Sequence, residues 1–217
     1  MERNTCWVSF TLTALVVLGL TACSQHEADP NDASADPKFS EWSAPVNLGP
    51  VVNSQFTDFG PAISEDGLSL YISSDRLGGF GGPGTEDIWV SQRARRNDPW
   101  GPPVNLGPHI NTGSRELLPN FSRDGHWMFF ASNRPGGFGG FDIWVSWRAD
   151  THDDFGWQPP VNLGAGVNSA ANDLAPHYFE NERVGIPLLF FTSGRPGLGD
   201  FDTYVSAFAS KIGRAHV

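Results

Sequence analysis

Apolar and polar residues alternate in short runs over most of this chain. Leu68, Leu70 and Ile72 occupy every second position of one run, which is the two-residue period of a β-strand. An Asp-Gly pair comes directly before this run, and Asp-Gly between apolar runs indicates a tight hairpin turn. The pattern therefore predicts a strand over residues 59–64, a turn, and a second strand over residues 68–74.

Two more short strands follow the same hairpin. A Gly-rich loop over residues 77–85 leads to an apolar run at residues 87–92. The next segment, starting at Trp100, reads WGPPVNLG, and its prolines fit an edge strand because a missing N–H costs nothing there. Gly (25 residues) and Pro (17 residues) are abundant, which favours short strands and tight turns over long helices. The sequence predicts an all-β fold.

This four-strand pattern occurs three times. The motif W-x-x-P-V-N-L-G starts at Trp42, Trp100 and Trp157, with spacings of 58 and 57 residues. The segment DIWVS occurs at residues 87–91 and 142–146, and DTYVS follows at 202–206. Four antiparallel strands at this period predict the blades of a β-propeller. We place about three blades in residues 41–211, with repeats near 41–98, 99–155 and 156–210.

The repeat resembles a known family of bacterial envelope proteins. Residues 122–125 read SRDG, residues 129–137 read FFASNRPGG, and residues 142–145 read DIWV. Together they are similar to the TolB-type, WD-like propeller repeat, and the resemblance covers residues 41–207. It implies a binding or scaffold module, although some related propellers cap peptidases or carry glycosidase sites. The third repeat departs from the pattern at residues 180–186, so its hairpin is expected to be longer and irregular.

The number of blades predicts a longer chain. Propellers contain about four to eight blades, and three do not close a ring. The segment 42–48 precedes the first complete blade, so we expect it to be the outer strand of the last blade. Residues 212–217 match the translation of a common sequencing adapter, and we assign them no function. The natural protein is expected to continue with further blades after Lys211.

The N-terminus has the pattern of a targeting segment. A largely apolar run of 14 residues, from Trp7 to Leu20, is too short to span a membrane and fits a signal-peptide core. The run ends in LTAC, which resembles the bacterial lipobox and implies that Cys23 is lipidated after removal of residues 1–22. An ordinary signal peptide is the alternative. Residues 23–40 are polar and acidic and are expected to form a flexible tether. Ser24, in place of Asp, favours the outer membrane, facing the periplasm or the exterior.

Charge and composition exclude several classes of function. A net charge of −10 argues against a nucleic-acid-binding protein, which needs a basic face. The two cysteines cannot form a disulfide framework, and no histidines have metal-ligand spacing. We therefore predict no metal and no cofactor. We predict no catalytic residue either, because no non-repeated cluster of acids and bases is visible in residues 41–211.

Each repeat contains an acid, an arginine and a second acid. We expect the arginine to be held between the two carboxylates, since a planar guanidinium can satisfy both. A ring of polar groups that binds a ligand is the alternative, but recurrence in every blade favours the structural role. The three sets are Asp58, Arg76 and Asp87; Glu116, Arg134 and Asp142; and Asp173, Arg195 and Asp202.

Two kinds of loop are further candidates for binding. Phe80 and Phe138 lie within Gly-rich loops, where they either form a binding surface or, as we expect, pack against the neighbouring blade. Asp153 and Asp154 lie in the loop 150–156, which we predict to be a solvated turn and not a calcium site.

Three functions fit these observations. The favoured one is a lipid-anchored cell-envelope propeller that acts as a non-catalytic protein-interaction or scaffold module. It would bind an envelope protein and attach to the membrane through its lipid. The second is a propeller that binds carbohydrate or peptidoglycan. The third is the propeller portion of a glycosidase or peptidase.

The two cysteines make the lipid anchor testable. Cys23→Ser is expected to abolish incorporation of radiolabelled palmitate and to move the protein from the membrane fraction to the soluble fraction. Cys6→Ser is the matched control, because residue 6 lies within the predicted signal segment and should leave labelling unchanged. Equal labelling of the two variants would exclude the lipobox.

Overall fold

A computed structural model describes residues 42–180 and 186–208. The chain divides into two compact units, Met1–Pro45 and Val46–Val217. The described part of the first unit, residues 42–45, is exposed and has no regular secondary structure. The predicted signal segment, the tether with Cys23, and the tail at residues 212–217 lie outside the described residues. Within the described ranges, no helix is long and apolar enough to span a membrane.

The described residues of the second unit are all-β and form three antiparallel sheets of the propeller-blade type. Each strand pairs with the next strand in the chain, so the sheet orders are β1-β2-β3-β4, β5-β6-β7-β8 and β11-β10-β9. The first sheet contains β1 (Asp58–Ile63), β2 (Ser69–Ser74), β3 (Asp87–Gln92) and β4 (Val104–Asn105); the second contains β5 (Glu116–Phe121), β6 (Trp127–Ser132), β7 (Asp142–Trp147) and β8 (Val161–Asn162); the third contains β9 (Asp173–Glu180), β10 (Pro187–Ser193) and β11 (Asp202–Ala207).

These strands confirm the predicted repeat. The hairpin turns, the Gly-rich loops and the edge strands of the second and third P-V-N-L-G motifs lie where the sequence places them. The first motif, within residues 42–49, was expected to form an outer strand but lies in no strand. The edge strands β4 and β8 are only two residues long, as the prolines before them favour. In the third sheet, β9 and β10 are longer than their equivalents and pair from Asp173 with Ser193 to Glu180 with Pro187.

The hydrophobic cores lie between neighbouring sheets. Tyr71, Ile88 and Val90 of the first sheet pack against Met128 and Phe130 of the second. On its other face, the second sheet packs against the third, through Phe129, Ile143, Val145, Leu189 and Phe191. A strand that is apolar on both faces therefore serves two cores. In β2, Tyr71 enters the core shared with the second sheet, while Leu70 and Ile72 pack with Val52 and Trp89 on the opposite face. Both faces of β2 are therefore buried.

The first strand of each sheet has a feature that the sequence pattern did not predict. A β-bulge in β1, β5 and β9 centres on residues with positive φ, namely Gly60 (60°), Leu118 (58°) and Ala175 (51°). A proline follows each of them, and a bulge accommodates a proline within a sheet. The positive φ of a non-glycine residue costs on the order of 1 kcal/mol.

A buried ion pair links the first two sheets. Arg148 Nη1 lies 2.9 Å from Asp154 Oδ1, and both side chains are almost fully buried. Tyr71 of the first sheet donates a hydrogen bond to the same carboxylate at 2.6 Å, and Ser69 and Gln92 donate to its other oxygen. Burial and the neighbouring Asp154 charge raise the pKa of Tyr71, which keeps its hydroxyl a donor. The predicted solvated turn is therefore wrong for Asp154, because this side chain faces the first sheet.

Asp154→Ala is expected to destabilise the fold by about 3–5 kcal/mol, because Arg148 would stay buried without its counter-charge. Urea unfolding followed by tryptophan fluorescence measures this loss. Asp153→Ala is the control: its side chain is exposed and accepts only a local N–H from Phe155, so the loss should stay below about 1 kcal/mol. Equal losses in both variants would contradict a linking role for Asp154.

Candidate functional site: the glycine-loop surface

One arginine anchors the start of each Gly-rich loop. Arg76 follows β2, and its Nη2 contacts Asp58 Oδ1 at 2.5 Å and donates to the carbonyl of Val52 at 2.8 Å. Its Nε donates to Ser74 Oγ, and the guanidinium lies over the Trp89 ring. These contacts fix the arginine between the inner strand and the preceding loop. The same arrangement recurs at Arg134 with Glu116 and Ile110, and at Arg195 with Asp173 and Val167.

The second acid of each repeat has different partners from those predicted. Asp87 Oδ2 accepts the backbone N–H of Phe80 at 2.6 Å and the side-chain amide of Asn105 at 2.7 Å. The arginine is therefore bound to the first acid, and the expectation that it is held between both carboxylates is wrong. The second acid joins the Gly-rich loop to the edge strand. Asp142 does the same with Phe138 and Asn162, and Asp202 accepts the N–H of Leu198.

Glycine is required where this carboxylate meets the loop. A Cβ on Gly79 would overlap the carboxylate of Asp87, and a Cβ on Gly137 would overlap that of Asp142. Each glycine comes directly before the residue whose N–H the acid accepts. The Gly-rich composition therefore allows the loop to fold closely over a buried acid, which fixes the position of the residue that follows.

The residues that follow these glycines carry exposed apolar side chains. Phe80 is 37% exposed and Phe138 is 51% exposed, so they do not pack fully against a neighbouring blade as expected. Leu198 holds the equivalent place in the third sheet and is fully exposed. Leu198 was not among the residues predicted from the sequence. Its spacing could have identified it, because Leu198 comes four residues before the aspartate of DTYVS and Phe138 comes four residues before the aspartate of DIWVS. We call these three residues the loop tips.

An ion pair joins two neighbouring loops on this surface. The guanidinium of Arg115 contacts both carboxylate oxygens of Glu86, and it lies over the ring of Phe141. Burial acts to raise the pKa of Glu86, but the hydrogen bonds and charge of Arg115 outweigh it and lower that pKa. The pair therefore stays charged and holds the first loop against the second.

Asp87 is the electrostatically unusual group beneath this surface. It is fully buried, and its Oδ1 has no hydrogen-bond partner among the described residues; the same holds for Asp142 Oδ1. Burial raises the pKa of Asp87 to about 6, and the negative charge of Glu116 on the next sheet adds to the shift. A buried carboxylate thus holds the loop at the cost of its own desolvation.

A groove lined by both charged and apolar side chains lies at the opposite end of the first two sheets, between their hairpin turns. Its volume is about 710 Å³ and its lining contains charges of both signs, including Glu65, Asp66, Arg96, Asp124 and His152. Burial acts to raise the pKa of Asp66, but hydrogen bonds from Ser64 and the Leu68 N–H outweigh it and lower the pKa. Arg96 donates to the carbonyl of Asp66 at 2.7 Å. This groove is a second candidate site.

No group of three or more His, Cys, Asp or Glu side chains in the described ranges is placed to hold a metal ion.

No family model matches the chain, and no curated protein matches it. Among solved structures, the chain is similar to a Bacteroides ovatus protein described as xyloglucan PUL GH43B, with a TM-score of 0.44 and 15% identity. The match covers 71% of this chain and 27% of that one, so the chain spans about a quarter of its length.

The raised pKa of Asp87 predicts a pH-dependent stability. Its pKa is about 6 in the folded state against 3.8 for the free side chain, so folding takes up a proton between these values. The stability of the wild type relative to Asp87→Asn should fall by on the order of 2–3 kcal/mol as the pH rises from 4 to 7. Urea unfolding at each pH measures this difference.

Asp66→Asn is the control for that titration. The pKa of Asp66 is lowered, so the wild type should lose stability relative to this variant only below about pH 4. Between pH 5 and pH 7 the difference should be constant. A constant difference for Asp87→Asn as well would contradict the raised pKa.

Proposed function

We propose that this protein is a lipid-anchored cell-envelope β-propeller that acts as a non-catalytic protein-interaction module. The observation that carries the proposal is the recurrence of an exposed apolar side chain on the same loop of all three sheets, at Phe80, Phe138 and Leu198. We also infer that the repeat is of the TolB type. In support, the SRDG turn joins β5 to β6, and DIWV begins β7.

The loop tips have the properties of a prepared contact surface. Each backbone N–H is held by a carboxylate of the same sheet at 2.5–2.7 Å, and this carboxylate is buried in the first two sheets and half-buried in the third. Side chains on a rigid backbone lose little conformational entropy when they bind, and this favours affinity. Exposed apolar residues grouped on one surface are typical of protein–protein contacts.

The repeated acids and arginines support a structural role over a catalytic one. The arginine of each repeat binds a carboxylate, a serine and a backbone carbonyl of the chain itself; the three arginines are Arg76, Arg134 and Arg195. Their Nε and Nη2 groups are therefore used within the blades. Above them, the loop tips offer a partner an apolar surface.

The predicted anchor limits where this surface can act. A fully extended tether of residues 24–40 would reach at most about 60 Å. The propeller would therefore stay close to the membrane that holds the lipid, and partners within the envelope are the ones it could meet.

A carbohydrate or peptidoglycan ligand is the second candidate, and the groove between the hairpin turns, with its charged and apolar lining, favours it. Charged and polar side chains from two neighbouring sheets line the groove, and sugar hydroxyls could hydrogen-bond to both signs of charge. This function would use the end of the sheets opposite to the loop tips.

Site-specific photo-crosslinking in living cells distinguishes these functions. A benzophenone amino acid at position 80 or 138 should form the same protein adduct, because both loop tips belong to one surface. Position 155 is the matched control: Phe155 is also exposed but lies at the opposite end of the second sheet. Adduct yield at position 155 should be at least several-fold lower.

Two results would contradict the interaction proposal. One is the absence of a protein adduct at both loop tips. The other is an equal adduct at position 155, which would mean non-specific contact. Co-sedimentation with purified sacculi, unaffected by Phe80→Ser and Phe138→Ser, would instead support the carbohydrate ligand.

A further inference from the structure

The loop between β3 and β4 is basic, although the chain as a whole has a net charge of −10. Residues 93–96 read RARR, and they lie beside the β1–β2 hairpin turn, at the end of the sheet opposite to the loop tips. The equivalent loop of the second sheet begins RADT at residue 148, so an aspartate there holds the place of Arg95. The repeat does not require a basic loop, since its equivalent folds with the opposite charge.

The contacts of the two loops confirm that they are equivalent. Arg93 Nε donates to the carbonyl of Gly67 at 2.8 Å, and the guanidinium lies over the ring of Trp100. Arg148 donates in the same way to the hairpin glycine of the second sheet, and it lies over the ring of Trp157. The alignment of the two loops therefore follows from their geometry as well as from their sequence.

The basic loop is held in place by neutral groups. Arg96 Nε donates to the carbonyl of Asp66 at 2.7 Å, and Nη2 lies 3.4 Å from the carbonyl of Glu65. A carbonyl fixes the guanidinium but does not neutralise it. Within the described ranges, no ion pair joins Arg93, Arg95 or Arg96 to a carboxylate. Other arginines of the same ranges each form one, namely Arg76, Arg115, Arg134, Arg148 and Arg195.

The exposure of this loop does not depend on what adjoins the first sheet. Ala94, Arg95 and Arg96 are exposed. In the second sheet, which packs against a sheet on each face, Asp150 holds the place of Arg95 and is exposed as well. This position therefore faces solvent even where both neighbouring sheets are present.

We propose that the arginine loop, residues 93–96, binds the anionic phosphate headgroups of the membrane that holds the lipid anchor. A guanidinium forms paired hydrogen bonds with phosphate oxygens, and clustered arginines are attracted to an anionic lipid surface. Stable attachment takes two signals, and a lipid chain with a basic surface is one such pair. The inference rests on the anchor in the proposed function and adds to it a second, electrostatic contact.

A lipid surface is favoured over an acidic protein because the predicted anchor keeps only the former permanently at hand. The tether of residues 24–40 would hold the propeller within about 60 Å of the headgroups. A surface linked in this way acts at a high effective concentration, so even a weak contact at the loop is occupied.

Charge asymmetry between the two equivalent loops would orient the propeller. Asp150 and Asp153 in the second sheet are exposed and would be repelled by anionic headgroups, whereas the arginine loop of the first sheet would be attracted. The strands between this loop and the loop tips are six residues long, or about 20 Å. Binding of the loop would therefore turn the loop tips away from the membrane, where an envelope protein could reach them.

Quenching of a dye by lipids with a nitroxide on the headgroup measures which end faces the membrane. The lipidated full chain with Cys6→Ser is reconstituted into phosphatidylcholine vesicles, with or without phosphatidylglycerol. In the anionic vesicles, a dye at Ala94→Cys should be quenched at least several-fold more than a dye at Leu198→Cys. In the neutral vesicles, both dyes should be quenched equally.

Charge variants test whether the arginines cause this difference. Arg95→Gln combined with Arg96→Gln should abolish it, and high salt should do the same because it screens exposed charges. Val104→Glu combined with Val161→Glu is the matched control. It lowers the net charge by the same amount at exposed residues of β4 and β8, and it should leave the difference unchanged.

Arg95→Glu alone keeps the test independent of folding. Within the described ranges the Arg95 side chain makes no hydrogen bond or ion pair, so the fold loses no contact, yet the quenching at position 94 should still fall several-fold. Tryptophan fluorescence of each variant checks that the fold is retained.

Equal quenching at positions 94 and 198 in anionic vesicles would overturn the proposal, as would an unchanged difference in the arginine variants. A chain that fails to float with neutral vesicles would overturn the proposed anchor and this contact with it. A chain that floats with both kinds of vesicle but shows equal quenching has the anchor and lacks only this contact. Equal quenching together with a protein adduct of a benzophenone at position 95 would indicate an acidic protein in place of the lipid.

Discussion

The structure depends on one constraint: each sheet is apolar on both faces and must be covered on both. Alternate residues of β6 show this, since Met128 and Phe130 enter one core while Phe129 enters the next. A single blade would leave about half of these side chains in water, at a cost of roughly 1.5–3 kcal/mol each. The repeat is therefore stable only as a stack, and among the described sheets the second lies between the other two.

Charged groups stabilise the stack only where their partners are complete. Asp154 accepts hydrogen bonds from Ser69, Tyr71 and Gln92 besides its ion pair with Arg148, so its desolvation is offset by several contacts. Asp87 has fewer partners, and the cost remains visible as a raised pKa. Both acids join separate parts of the chain. The first joins two sheets, and the second joins a loop to an edge strand.

The sequence predicts the local parts of this architecture and misses the distant ones. Alternation and turn residues predict the strands, and the equal separations from Asp58 to Arg76 and from Glu116 to Arg134 predict the first ion pair. The burial of Asp154 could not be predicted, because its partners Ser69 and Tyr71 are more than 80 residues away. The partner of Asp87 was missed for a related reason: Asn105 comes close only when β4 pairs with β3.

The aspartate that begins the third strand of each sheet connects the loop tips to the packing of the sheets. Asp87, Asp142 and Asp202 all hold a tip from the same strand position, so the three tips emerge at corresponding ends of their sheets. Because linked sites bind with an effective concentration set by their spacing, a weak contact at each tip would combine into a strong one. Packing between sheets would then determine the strength of binding as well as the stability of the fold.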